Sequence, residues 1–143
     1  MTYSYTASRQ RSGLSLQQPN ASAWTLTYGR DAANRINAVT SPAGAFGYEY
    51  AGGADPGVAS VAALIKRLTL PNSAVITNQF DAEARLLGTV LRNGSGTLLN
   101  QHLYSYNDLD QRTNQTRTDG DFVAYGYDAQ SQLVSAIGKS QVH

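Results

Sequence analysis

The chain has 143 residues, no cysteine, 15% charged residues and a formal net charge of +1. The absence of cysteine excludes a disulfide scaffold, a thiolate nucleophile and cysteine-ligated metal sites. A charge this close to zero is not typical of a nucleic-acid-binding protein, and no apolar run reaches the length of about 18 residues that a membrane-spanning helix needs. We therefore expect no nucleic-acid partner, no membrane span and no cofactor.

An element made of an aromatic residue, any residue and a second aromatic residue, often followed by Asp or Asn, recurs along the chain. Successive copies lie 20 to 30 residues apart, which suits one β-hairpin with a variable turn in each repeat. We therefore predict about six irregular repeats within a single segment, residues 1–143. In chain order, the signature residues are Tyr3 and Tyr5, Tyr28 and Asp31, Tyr48 and Tyr50, Phe80 and Asp81, Tyr104, Tyr106 and Asn107, and Tyr125, Tyr127 and Asp128.

A second element keeps a fixed distance from the first. Arg35 and Arg85 each lie five residues after the second position of their copies, and Arg112 follows the glutamine that holds this place in the fifth copy. The agreement in phase between two separate elements indicates a true repeat. Because guanidinium groups bind carboxylates and stack on aromatic rings, we expect these arginines to cover tyrosine rings or to pair with the aspartates of the repeat.

The alternation within each copy predicts β-strands rather than helices. Two aromatic residues that stand two apart project from the same face of an extended chain, and Tyr, Val and Leu are frequent around them. The Asp or Asn that follows suits a turn, because its side chain can bond the backbone two residues further on. The predicted fold is all-β, with consecutive antiparallel β-hairpins forming a twisted, ribbon-like sheet.

Turn signals lie between the predicted strands. The pairs Asn93-Gly94 and Asp119-Gly120 favour two-residue type I′ hairpin turns, which require positive φ at both central residues. Residues 51–64 interrupt the pattern, because a Gly- and Pro-containing stretch is followed by apolar residues at helical spacing. We interpret 51–64 as a loop insertion with room for a short helix, followed by a strand near 65–70.

The motifs resemble the YD repeats of bacterial Rhs proteins, a family related to toxin-complex subunits and to teneurins. Residues 104–112 and 125–133 carry the resemblance best, since each contains Tyr-x-Tyr, then Asn or Asp, then a short turn that ends in Gln with Arg or Leu. The resemblance extends from Tyr3 to about Ala136. It implies a segment of a long antiparallel sheet that winds into a hollow shell.

The chain departs from the family pattern at the place where that pattern favours Gly before the Arg or Gln. The residues found there are Asn34, Ala84, Asp110 and Ser131. Asn and Asp enter the left-handed conformation at modest cost, whereas Ala84 is poorly suited to it. We expect the copies that depart from the pattern to be less regular.

The resemblance also implies a function, which is to form part of a shell that encapsulates or displays a C-terminal toxin or effector domain absent from this chain. The expected partners are adjacent repeats of a parent chain, a toxin cargo domain, or a second copy bound through unpaired edge strands. The family is found in secreted or cell-surface bacterial proteins, which is the location that the resemblance implies.

A second function stays open, because rows of tyrosine beside arginine are also used to bind carbohydrate. Solvent-facing rings along a groove would favour that function, whereas rings packed on neighbouring strands would favour an architectural role. Acidic pairs such as Asp108 and Asp110 fall at predicted turns, where Asp serves the backbone. We therefore expect no catalytic residue and no metal site, and we do not expect an enzyme.

Overall fold

The computed structural model describes residues 1–52 and 64–139. Within these ranges the regular secondary structure consists of β-strands alone. The strands pair in chain order to form one antiparallel sheet that does not close. This confirms the predicted all-β fold. The strands are β1 (Thr2–Tyr5), β2 (Arg11–Leu16), β3 (Trp24–Arg30), β4 (Ile36–Ser41), β5 (Gly44–Tyr50), β6 (Ile65–Thr69), β7 (Val75–Phe80), β8 (Leu86–Arg92), β9 (Leu98–Tyr106), β10 (Arg112–Arg117), β11 (Phe122–Tyr127) and β12 (Leu133–Lys139).

The connection between β5 and β6 contains the predicted loop insertion. Most of 51–64, including the proposed short helix, lies outside the described residues. At its two ends the Ala51 N–H donates to the Leu64 carbonyl at 2.9 Å, so the insertion leaves and re-enters the sheet at adjacent points. In the described part of the chain, no helix is long and apolar enough to cross a membrane.

The two faces of the sheet differ in the size of their side chains. Directly opposed residues share a face, and the register places Tyr48 beside Leu68 and Ile76 on one side. We call this side the aromatic face; it also carries Tyr3, Tyr28, Phe46, Tyr104 and Tyr125. The other side is rich in small residues, as in the row Gly29, Ala38, Gly47, Thr69 and Val75.

The described residues form a sheet with almost no buried core. The buried hydrophobic residues there are Ala51, Ala74 and Val90. Inside the sheet, the aromatic-face side chains Tyr28, Phe46, Tyr48, Tyr104 and Tyr125 are half-buried. Since cross-strand pairs contribute about 0.2–1 kcal/mol each, stability is spread along the sheet rather than concentrated in one cluster.

One turn geometry recurs in eight connections of the described chain. In each, the first residue's N–H donates to the carbonyl of the fifth residue, and the fourth residue's N–H donates to the carbonyl of the first. The fourth residue has φ between 60° and 86°, so each is a three-residue loop with a type I turn and a left-handed bulge residue. These turns are Thr6–Gln10, Asp31–Arg35, Leu70–Ala74, Asp81–Arg85, Asn93–Thr97, Asn107–Gln111, Arg117–Asp121 and Asp128–Gln132.

The type I′ geometry predicted at Asn93-Gly94 and Asp119-Gly120 is wrong. Positive φ falls on Gly96 in the first turn and on Gly120 alone in the second. Asn93 is the first residue of its turn, and its Oδ1 accepts the N–H groups of Ser95 and Thr97 at 3.1 and 2.8 Å. The glycine that the geometry needs is therefore the fourth residue of the turn rather than the neighbour of Asn93.

The four residues that replace the family glycine all have positive φ, as the resemblance implies: Asn34, Ala84, Asp110 and Ser131. Ala84 has φ of 66°, where its Cβ crowds the following carbonyl.

We predict that Ala84→Gly raises the free energy of unfolding by about 1 kcal/mol, as measured by denaturant unfolding. Ala82→Gly, in the same turn at negative φ, is the matched control and should lower it. Equal effects of the two substitutions would contradict the prediction.

Candidate functional site

The repeat signature gathers along one edge of the sheet. Each odd-numbered strand ends there. We call this border of the sheet, which is formed by strand ends and turns rather than by an outermost strand, the signature edge. We call the last residues of these strands the closing residues. The closing residues are Tyr5, Arg30, Tyr50, Phe80, Tyr106 and Tyr127. Because the strands alternate in direction, five turns follow closing residues at this edge, and Ala51 and Leu64, the described ends of the insertion, also lie there. We call these five the signature turns: Thr6–Gln10, Asp31–Arg35, Asp81–Arg85, Asn107–Gln111 and Asp128–Gln132. The other turns, including those of Asn93 and Asp119, lie at the opposite edge.

A β-bulge lies beside every closing residue. The register shifts at each of these positions, so the first residue of the next strand faces the closing residue and one extra residue follows it. Ile36, for example, faces Arg30, whereas the register of β4 with β5 begins only at Ala38. The carbonyl of Ile36 is thus outside the β4–β5 ladder and needs another donor.

Three tyrosine hydroxyls supply that donor. The Tyr50 hydroxyl donates to the Ile36 carbonyl at 2.7 Å, and the Tyr106 hydroxyl donates to the Leu86 carbonyl at 2.9 Å. The Tyr127 hydroxyl donates to the Arg112 carbonyl at 2.8 Å. Each acceptor is the first residue after a signature turn of the preceding hairpin. The closing tyrosine therefore joins one hairpin to the hairpin before it.

Two copies without a closing tyrosine reach the equivalent carbonyl in another way. Where Arg30 replaces tyrosine, its Nη2 donates to the Arg11 carbonyl at 3.4 Å. Where Phe80 has no hydroxyl, the Asn78 side chain donates to the Ile65 carbonyl at 2.9 Å. All five junctions between hairpins in the described chain thus carry a side-chain donor on the same backbone position.

Sequence reasoning did not assign a role to Asn78. Its only local signal was an amide at the first aromatic position of a copy whose second position lacks a hydroxyl. The acceptor lies 13 residues earlier in the chain, and the bulge that exposes it has no signature of its own. The pairing could therefore not be found from local spacing.

The Asp or Asn after the closing residue organises the turn. Asp31 Oδ1 accepts the N–H groups of Ala33 and Arg35, both at 2.9 Å. Asp81, Asn107 and Asp128 make the same pair of bonds two and four residues on, at 2.8 to 3.1 Å. In the first copy the Thr6 hydroxyl oxygen accepts the Gln10 N–H at 3.1 Å. The residue type was thus predictable, because only a short acceptor side chain reaches both N–H groups.

Arg35 and Arg85 link the turn to the next hairpin. Each donates Nε to the second oxygen of its turn aspartate, at 2.7 Å to Asp31 and 2.6 Å to Asp81. Each guanidinium also stacks on the next closing tyrosine, 4.3 Å from the ring centre for Tyr50 and 5.2 Å for Tyr106. The sequence-based expectation that these arginines pair with aspartates and cover rings is therefore confirmed.

Arg112 and Arg11 also stack on tyrosine rings, but each on a ring of its own hairpin. Arg112 lies 4.2 Å from the ring centre of Tyr104, and Arg11 lies 4.7 Å from that of Tyr3. Both contacts are within one hairpin, since Arg112 follows the turn that Tyr104 precedes. Cation–π contacts of this kind contribute about 0.5–1 kcal/mol at exposed sites. Arg85 adds a bond to Asp110 of the next signature turn at 2.6 Å.

The first-position tyrosines Tyr104 and Tyr125 contact side chains of neighbouring strands. The Tyr125 hydroxyl donates to Gln115 Oε1 at 3.1 Å, and the Gln115 amide lies 2.9 Å from His102 Nδ1. Tyr104 is covered by Arg112, and Tyr104, Tyr106, Tyr125 and Tyr127 are all half-buried. At the first hairpin, Tyr3 and Tyr5 are 42% and 59% exposed. The signature tyrosines inside the sheet are thus less exposed to solvent than those of β1, the first outermost strand.

The pKa values of two turn aspartates lie below the ordinary value. Partial burial raises the pKa of the Asp31 and Asp81 carboxyls, but the bonds from the side chain and N–H of Arg35 and Arg85, with the charge of each arginine, outweigh it. The net direction is downward for both carboxyls. The hydrogen bonds that Arg85 donates to Asp81 and Asp110, with the negative charge of the two carboxylates, raise the pKa of Arg85 against partial desolvation.

A broad hollow of about 750 Å³ opens near β6, β7 and β8. Arg67, Arg92, Glu49 and Thr77 contribute to its lining, and Arg67 lies 3.5 Å from Glu49. No signature tyrosine lines it. Among residues 1–52 and 64–139, no group of three or more His, Asp or Glu side chains converges in a way that could hold a metal ion.

The fold and the signature edge define a class, an open single-sheet protein built from consecutive β-hairpins. No protein-family model matches the chain, and no curated protein matches its sequence. Solved structures do match in fold. A crystal structure of TcdB2-TccC3 without its hypervariable C-terminal region has a TM-score of 0.54 at 16% identity over 94% of this chain, and TcdB2-TccC3-Cdc42 has 0.52 at 16% over 94%.

A third match is the Tc holotoxin pore of Photorhabdus luminescens, with a TM-score of 0.51 at 19% identity over 81% of this chain. The chain spans only 7% to 9% of the length of these structures. At such identities the likeness concerns the fold. The twelve-stranded sheet is thus similar in fold to a small part of each of these toxin-complex structures.

We predict that stability depends on pH through Asp31 and Asp81. Because their folded-state pKa values are lowered, their contribution is present above the unfolded value of about 4 and is lost as the pH falls through the folded-state values. The free energy of unfolding should therefore decrease between about pH 5 and pH 2, as followed by urea unfolding.

The double variant D31N/D81N is the matched test, because Asn keeps the Oδ1 acceptor and removes the charge, as Asn107 does naturally. Its free energy of unfolding should change less over the same pH range. Parallel pH profiles for the variant and the unmodified chain would contradict the prediction.

Proposed function

We propose that the chain is a structural repeat module, part of the wall of an Rhs-type β-shell that encapsulates or displays a C-terminal toxin or effector domain. The observation that carries the proposal is the repeated junction at the signature edge. Five successive hairpins use the same bulge, the same carbonyl left outside the ladder and a side-chain donor from the next hairpin. A module of this kind adds hairpins without adding a core.

The comparisons support the proposal at the level of the fold. The motifs resemble the YD repeats of a family whose relatives include toxin-complex subunits, and the matching solved structures are toxin complexes. Both lines of support rest on the same feature, a long run of antiparallel hairpins. The module would be located in a secreted or cell-surface bacterial protein, with neighbouring repeats and a cargo domain as its partners.

The carbohydrate-binding alternative has less support. A sugar platform needs accessible ring faces, but Arg35, Arg85 and Arg112 lie over the rings of Tyr50, Tyr106 and Tyr104. The hydroxyls of Tyr50, Tyr106 and Tyr127 donate to backbone carbonyls. Their repeated positions suit joining of strands, so the signature tyrosines are proposed to be architectural, and no enzymatic activity is proposed.

The proposal predicts that the full product of the reading frame encoding this chain forms a hollow particle. Electron cryomicroscopy of that product should show this segment in a curved wall around an internal space. A compact particle in which the segment is a separate, solid domain would contradict the proposal. A glycan array gives the second arm: specific binding by the chain that is lost in Tyr125→Ala, with the fold kept, would favour the carbohydrate alternative.

A further inference from the structure

The outer edge of β12 repeats a position that is occupied at every internal junction. The first residue of each even-numbered strand faces a closing residue, and Leu133 faces Tyr127 in this way. In the five earlier strands this first residue receives a side-chain donor from the following odd strand. Leu133 holds the same place on β12, and no described strand pairs with the far side of β12.

The five internal junctions also share one register. The residue two after the acceptor faces the residue three before the closing residue of the next strand. The five opposed pairs are Gly13 with Thr27, Ala38 with Gly47, Arg67 with Thr77, Gly88 with Leu103, and Asn114 with Ala124. Applied to β12, this register places Ser135 opposite the residue three before a closing tyrosine.

The edge of β12 has the surface that such a strand would cover. Leu133, Val134 and Ile137 are 56%, 63% and 57% exposed, and the strand contains no proline and no charged residue before Lys139. Natural edge strands that stay unpaired are usually protected by charge, proline or a bulge. β12 has no charge or proline before Lys139, and its bulge beside Leu133 is the same bulge that every internal even-numbered strand carries while paired on both sides. A niche of about 190 Å³ lies between Leu133, Arg112, Tyr125 and Tyr127, and a cavity of about 150 Å³ admits a benzene ring.

We propose that the outer edge of β12 is a binding site for an added antiparallel strand that ends in aromatic-x-tyrosine. In the complex, the strand's closing tyrosine donates its hydroxyl to the Leu133 carbonyl, and the residue three before it faces Ser135. The partner is an extended segment of this chemistry rather than a second copy. In this register, β1 of a copy (Thr2–Tyr5) would pair only Thr2, opposite Ser135, whereas each internal junction has three to five opposed pairs. The inference rests on the proposed function only in taking the sheet to be continued beyond β12.

The probe is a synthetic peptide with the sequence of residues 43–51, which contains β5 and the closing tyrosine Tyr50. We expect saturable binding to the 143-residue chain. Because a hydrogen bond contributes about 0.5–1.5 kcal/mol net, the peptide with Tyr50→Phe should bind about 2- to 12-fold more weakly. Tyr48→Phe in the peptide is the matched control and should leave the affinity unchanged.

Disulfide trapping tests the register, since the chain has no cysteine of its own. Ser135→Cys in the chain should form a disulfide with the peptide carrying Gly47→Cys, and not with peptides carrying Phe46→Cys or Tyr48→Cys. The absence of saturable binding, equal trapping at all three positions, or occupation of the edge by a second copy in sedimentation would overturn the inference. A hollow parent particle without peptide binding would overturn the inference and leave the proposed function standing. Peptide binding by the chain without a hollow parent particle would contradict the proposed function and leave the inference standing.

Discussion

The carbonyl that each β-bulge removes from the ladder is the constraint on which the sheet depends. A partly buried carbonyl without a donor costs about 1–3 kcal/mol, and residues 1–52 and 64–139 form no large core to offset that cost. Each hairpin must therefore receive a donor from the next hairpin. Tyr50, Tyr106 and Tyr127 provide it with a hydroxyl, while Arg30 and Asn78 provide it with a guanidinium and an amide.

This constraint explains the composition of the chain. Of its nine tyrosines, eight lie in aromatic-x-aromatic pairs. In three of these four pairs the second tyrosine donates its hydroxyl to a carbonyl of the preceding hairpin. Arg35 and Arg85 serve two hairpins at once, since each holds its own turn aspartate and covers the next closing ring. Such nearest-neighbour coupling is typical of repeat proteins, in which each unit is stabilised by the units beside it.

Much of the fold could be predicted from local pattern, and the junctions could not. The strands followed from aromatic residues two apart, and the turns followed from the Asp or Asn after them, because both depend on residues close in sequence. The junction bonds of Arg30 and Asn78 span 19 and 13 residues and depend on a register that bulges set. The turn at Asn93 was assigned the wrong type because Asn-Gly favours type I′ locally, whereas Asn93 acts as the first residue of a longer loop.

The most direct test of this account exchanges one donor for another at a single carbonyl. Asn78→Ala should lower the free energy of unfolding by about 1–3 kcal/mol, because it leaves the Ile65 carbonyl without its donor. Adding Phe80→Tyr, at a closing position, should restore about 0.5–1.5 kcal/mol in that background and little in the unmodified chain, where Asn78 already occupies the carbonyl. Additive effects of the two substitutions in a double-mutant cycle would contradict the claim that side-chain donors at this position join the hairpins.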